Sequence, residues 1–97
     1  LRKIDLTPYQ VDERPYDVKT SVVNLLFNPE LKLSGRDVIT QDELAKKIES
    51  SDDSVLLEEV DYQKVKKAID VFSGFSRADV GFVTRILSAP EVKVKEQ

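Results

Sequence analysis

The apolar positions of this chain fall into short blocks whose period changes along the sequence. Leu1, Ile4 and Leu6 alternate only loosely, and Pro8 and Pro15 forbid a helix through residues 1–16. That segment is expected to be extended, a strand followed by a loop. Val22-Val23-Asn24-Leu25-Leu26-Phe27 is apolar almost all round. With Thr20 or Ser21 as N-cap and Asn28-Pro29 as a stop, it reads as a short buried helix, a strand being the competing assignment. Residues 30–39 read as a connector punctuated by Ser34-Gly35. Thr40-Gln41-Asp42-Glu43 then has the form of a capping box, in which the first and fourth side chains satisfy each other's unpaired backbone donors. The helix it opens sets Leu44 and Ile48 one turn apart and carries Lys46 and Lys47 at its far end, where the helix dipole favours cations.

After a polar break at residues 50–54, Val55-Leu56-Leu57 reads as a short strand or the lead into a helix capped by Asp61. Tyr62, Val65, Ala68, Ile69 and Phe72 recur at helical spacing, with Gln63, Lys64, Lys66, Lys67 and Asp70 between them. Ser73-Gly74 ends that helix, and Ser76, with Asp79 three residues on, caps the last one. There Val80, Val83 and Leu87 share a face beside Phe82 and Ile86, and are expected to pack on Val65, Ile69 and Phe72. Gly81, inside this helix, costs about 1 kcal/mol relative to alanine, which points to close approach by a neighbouring helix or strand, a partner lying over that face being the alternative. Ala89-Pro90 closes the helix, and residues 91–97 alternate apolar with charged, as an edge strand or a free arm does.

The predicted fold is α+β, mostly α, with about four short helices. A minor sheet is expected from the N-terminal segment, residues 55–58 and, as a further candidate, the C-terminal tail. Residues 1–97 form a single small domain, with an extended N-terminal arm (1–16) and a tail (90–97). Each arm could add a strand to another protein's sheet or to a second copy. The rivals are that the ends pair with each other or fray, or that residues 1–6 pair with residues 55–58.

Composition narrows the chemistry. In 97 residues, 40% hydrophobic and 34% charged, no apolar run approaches the roughly 20 residues that span a bilayer. The basic start Arg2-Lys3 is followed at once by Asp5 and Pro8, unlike a signal peptide, so a cytoplasmic protein is expected. Cysteine and histidine are absent. Disulfides, thiolate zinc sites and the commonest general base and metal ligand go with them. Asp52-Asp53 and Glu58-Glu59 are read as solvated surface, the three glycines form no phosphate-binding loop, and no serine stands in a nucleophile elbow. The expectation is no enzyme, no cofactor and no metal.

Binding is left. A net charge of −3 opposes nucleic acid. Even so, residues 61–88 resemble a helix-turn-helix in outline, with five basic residues (64, 66, 67, 77, 85) against three aspartates (61, 70, 79). Arg77, Arg85, Lys66 and Lys67 are therefore the candidates for an alternative reading as a nucleic-acid-binding regulator. For a protein partner the candidate anchors are Tyr9, Tyr16, Phe75 and Arg77, aromatic and arginine side chains expected at the surface.

The order of segments is similar to that of small accessory proteins encoded by tailed phages and prophages. The likeness rests on Arg-Pro-Tyr-Asp-Val-Lys-Thr-Ser-Val-Val-Asn-Leu-Leu at 14–26, Asp42-Glu43-Leu44-Ala45-Lys46-Lys47-Ile48, Val55-Leu56-Leu57 leading into Asp61-Tyr62-Gln63-Lys64-Val65-Lys66-Lys67-Ala68, and a last short helix. It implies a phage-encoded protein-interaction module acting in virion assembly or on a host protein. Such a module would be found in the host cytoplasm or with the virion. It defines no functional residue.

Overall fold

The structure, a computed structural model, describes residues 1–92. These form strands β1 (Arg2–Asp5), β2 (Tyr9–Val11) and β3 (Arg14–Tyr16), then helices α1 (Val18–Leu26) and α2 (Gly35–Glu49). Strand β4 (Ser54–Leu57) and helices α3 (Glu59–Val71) and α4 (Val80–Leu87) follow. The fold is α+β and mostly α, as the hydrophobic pattern predicts, but it has two small antiparallel sheets where one was expected, because residues 9–16, read as a loop, form a hairpin.

Helix α1 starts earlier than expected. Asp17, not Thr20 or Ser21, is the N-cap: its carboxylate accepts the Thr20 N–H (3.0 Å) and the Thr20 hydroxyl (2.8 Å). Those bonds, the backbone one first, hold the Asp17 carboxyl below its usual value. Val18, Val22, Leu25 and Leu26 make one buried face, while Asn24 and Phe27 point outward. The helix is therefore not buried all round.

Residues 30–39 are not a connector throughout. Ser34 caps α2 in a reciprocal box with Asp37: the Asp37 N–H donates to Ser34 Oγ (3.1 Å) and the Ser34 N–H to the Asp37 carboxylate (3.3 Å). Thr40 lies inside the helix, where its hydroxyl donates to the Arg36 carbonyl (3.2 Å). Of two capping patterns six residues apart, the earlier one starts the helix and the later one is absorbed by it. Leu44, Ala45 and Ile48 are buried, and buried Gln41 donates to the Leu26 carbonyl (3.0 Å), satisfying the C-terminal end of α1.

Helix α3 likewise begins before its predicted cap. Asp61 sits in its first turn beside Lys64 (3.6 Å), and Tyr62, Val65, Ala68 and Ile69 form the buried stripe. Strand β1 pairs with β4 in the register Arg2↔Leu57, Lys3↔Leu56, Ile4↔Val55, Asp5↔Ser54. Period-two alternation sends Ile4, Val55 and Leu57 into the core. On the other edge of β1, the Lys3 N–H donates to the Pro90 carbonyl (3.0 Å) and Arg2 bridges Glu91.

The N-terminal arm therefore needs no second chain to order it, and both intramolecular pairings considered for it form. Residues 93–97 of the expected tail lie outside the described residues. Strands β2 and β3 form a hairpin across Asp12-Glu13, both at positive φ (49° and 65°), the twist that a two-residue hairpin turn demands.

Candidate interaction site

The N-terminal segment fixes α4 in place. Tyr9 and Tyr16 face each other across the hairpin and stack, with ring centroids 4.8 Å apart. The Tyr9 hydroxyl accepts the Phe82 N–H (2.9 Å) and donates to the Ala78 carbonyl (3.1 Å), so it occupies the start of α4. Its ring covers Gly81: a Cβ there would come within 3.2 Å of a Tyr9 ring carbon. This is the close approach that a glycine inside a helix predicts. Tyr16 packs on Phe82 (5.8 Å between centroids) and donates from its hydroxyl to Asp79 Oδ1 (2.5 Å).

Burial first, and then that bond, pushes the Tyr16 hydroxyl up to about 12. Burial alone would raise the Asp79 carboxyl. Donors from Tyr16 and from the Ser76 backbone and side chain outweigh it and hold Asp79 below its usual value.

Two arginines complete the attachment. The Arg85 guanidinium lies over the Tyr9 ring (5.0 Å), donates to the Thr7 carbonyl and pairs with Asp5 (3.7 Å). Arg2 lies over the Tyr62 ring (5.0 Å), pairs with Glu59 (3.3 Å) and donates to the Ala89 carbonyl (3.0 Å) just beyond α4. Tyr62 donates to the Ile86 carbonyl (2.6 Å). Both ends of α4 are thus held by side chains from distant segments.

This attachment decides which way α4 faces. Phe82, Ile86 and Ala89 are buried, against the expectation that Val80, Val83 and Leu87 would be. Residues 80 and 82 lie about 200° apart on a helix, so burying one set turns the other outward. Val80 is 59% and Leu87 46% exposed, exposed Thr84 lies between them, and Val83 is half-buried at the flank. The result is an aliphatic face on the solvent side of a short, firmly held helix.

The residues named from sequence separate accordingly. Tyr9 and Tyr16 are half-buried, not exposed as expected, and both hold α4. Phe75 is half-buried edge-on to Phe72 (4.8 Å). Arg77 alone of the four is exposed, in the 3-10 turn Arg77–Asp79 that precedes α4. Of the nucleic-acid candidates, Arg85 is turned inward on the N-terminal segment. Lys66 and Lys67 sit on α3, half-buried and exposed respectively.

Sequence reasoning passed over Arg2, Val80 and Leu87 as determinants of this site. For Arg2 no local signal exists, because its partners are 57 and 87 residues away. A shallow cleft of about 530 Å³ lined by Lys3, Asp5, Asp53, Arg85 and Ser88 has mixed charge, with Arg85 already paired to Asp5. Among the described residues no three carboxylates gather where they could hold a metal ion, and no helix is long and apolar enough to cross a membrane. No protein-family model, curated protein or solved structure matches the chain.

Proposed function

We propose that this chain is a non-enzymatic protein-interaction module, of the accessory or virion-assembly kind suggested by its likeness to small tailed-phage proteins. It would act in the host cytoplasm or the virion. The observation that carries the reading is the outward face of α4. Val80 and Leu87 stand largely exposed on a helix whose other contacts are extensive, and Arg77 stands exposed just before them. Exposed aliphatic groups on a rigid element, with an unburied arginine at the margin, are what a partner surface uses. The absence of histidine and cysteine supports the non-enzymatic part. The net charge of −3 and the inward turn of Arg85 weigh against the nucleic-acid alternative.

Photocrosslinking tests the reading. A diazirine side chain of leucine size replaces Leu87, on the exposed face, or Lys67, on the charged side of α3, in cells that make the chain. Protein adducts from position 87 and not from position 67 are the expected result. No adduct from position 87 overturns the proposal.

A further inference from the structure

The outer face of α4 is complementary to itself. We propose that it docks a second copy of this chain, with the two α4 helices antiparallel about a two-fold axis through Val83 and Thr84. This rests on the interaction reading above and names the partner.

In an antiparallel pair, residues equally far from the axis on either side meet. Val80 of one copy then lies against Leu87 of the other, and the same contact repeats at the far end. Thr84, small and exposed, sits near the crossing point, where a bulky side chain would hold the helices apart. No charged side chain interrupts the face, because Arg85 points away into the N-terminal segment. Docking therefore desolvates no ion at its centre.

The flanks supply charge complementarity. Exposed Arg77 precedes α4 and makes no salt bridge among the described residues, while exposed Glu91 follows the helix. The antiparallel arrangement brings Arg77 of each copy to the end where Glu91 of the other stands. A parallel arrangement would oppose Arg77 to Arg77. Opposed helix dipoles favour the same orientation. The face is small, so the association is of the weak, concentration-dependent class.

Sedimentation equilibrium of the purified chain over a concentration series tests this. The expected result is a weight-average mass rising toward twice the monomer. Leu87→Glu and Val80→Glu are expected to stay monomeric with an unchanged circular dichroism spectrum. Arg77→Glu is expected to weaken association about three- to tenfold, from two symmetric charge pairs, and Arg77→Glu combined with Glu91→Arg to restore it.

A chain that stays monomeric throughout overturns the proposal. So does a dimer indifferent to both Leu87→Glu and Val80→Glu. A dimer that loses strength in Arg77→Glu without rescue by the double swap overturns the antiparallel register. The position-87 photoadducts separate this proposal from the one beneath it. An adduct of two copies supports self-docking. Adducts with other proteins only overturn self-docking while the interaction module stands, and no adduct overturns both.

Discussion

Helices α3 and α4 pack side by side, yet their outer faces differ. Helix α3 buries one stripe and turns mainly Gln63, Lys67 and Asp70 to solvent, with Val60 the apolar exception in its first turn. Helix α4 buries Phe82 and Ile86 and turns Val80, Thr84 and Leu87 outward. The first is the arrangement of a helix that serves its own core. The second has apolar groups on opposite sides, of which the described residues cover one. Substitutions on α4 should separate the two sides.

The largest effect is expected on the inner side. Phe82→Ala removes a fully buried aromatic and should cost about 3–5 kcal/mol, whereas Leu87→Ala on the outer side should stay within about 0.5 kcal/mol for the monomer. Chemical denaturation at low protein concentration measures both. Equal losses would mean that α4 has no free side.

Tyr9→Phe comes next. It strips the hydroxyl that receives the Phe82 N–H and bonds the Ala78 carbonyl, leaving part-buried groups unpaired, and should cost about 1–3 kcal/mol. An unchanged denaturation midpoint would show that the hairpin does not secure α4.

Ser34→Ala should cost about 1 kcal/mol by removing the cap of α2, and Thr40→Ala, within the helix, should cost less than half of that. The reverse ranking would restore the start that Thr40-Gln41-Asp42-Glu43 predicts. This pair shows how local signals can be true in form and still misplace an element. Both segments have capping chemistry, and nothing within six residues says that the earlier one wins.

Most of the strand, helix and turn order was legible because it depends on period and punctuation, as the inward Ile4, Val55 and Leu57 and the Asn28-Pro29 stop show, but the β2–β3 hairpin, with two prolines and no clear alternation, was not. Gly81 was legible as a place where something comes close. The orientation of α4 was not. Its apolar residues at 80, 82, 83, 86 and 87 cover opposite sides, and the choice between them is made by Tyr9, Arg2 and the partners of Arg85, all far away in sequence. The candidate site follows from that choice, so it could be read only once the N-terminal segment was seen against the helix.

Smaller still is the effect on titration. Tyr16 is neutral in the fold up to about 12, above its ordinary value, so its hydroxyl contributes stability that is present at neutral pH and lost as pH rises through that value. Asp79 has the opposite sign: held below its usual value, it contributes above the ordinary carboxylate range and loses that contribution as pH falls through its lowered value. Ultraviolet absorbance should show a tyrosinate phase near pH 12 that Tyr16→Phe removes. Persistence of that phase in the variant would place the perturbed group elsewhere.

The most direct test of the outward face is a dilution series of amide correlation spectra. Increasing concentration is expected to move the signals of Arg77, Val80, Val83, Thr84, Leu87 and Glu91 together and to leave those of Asp17, Leu44 and Val65 still. Signals that move elsewhere in the chain, or a series in which nothing moves, would contradict it.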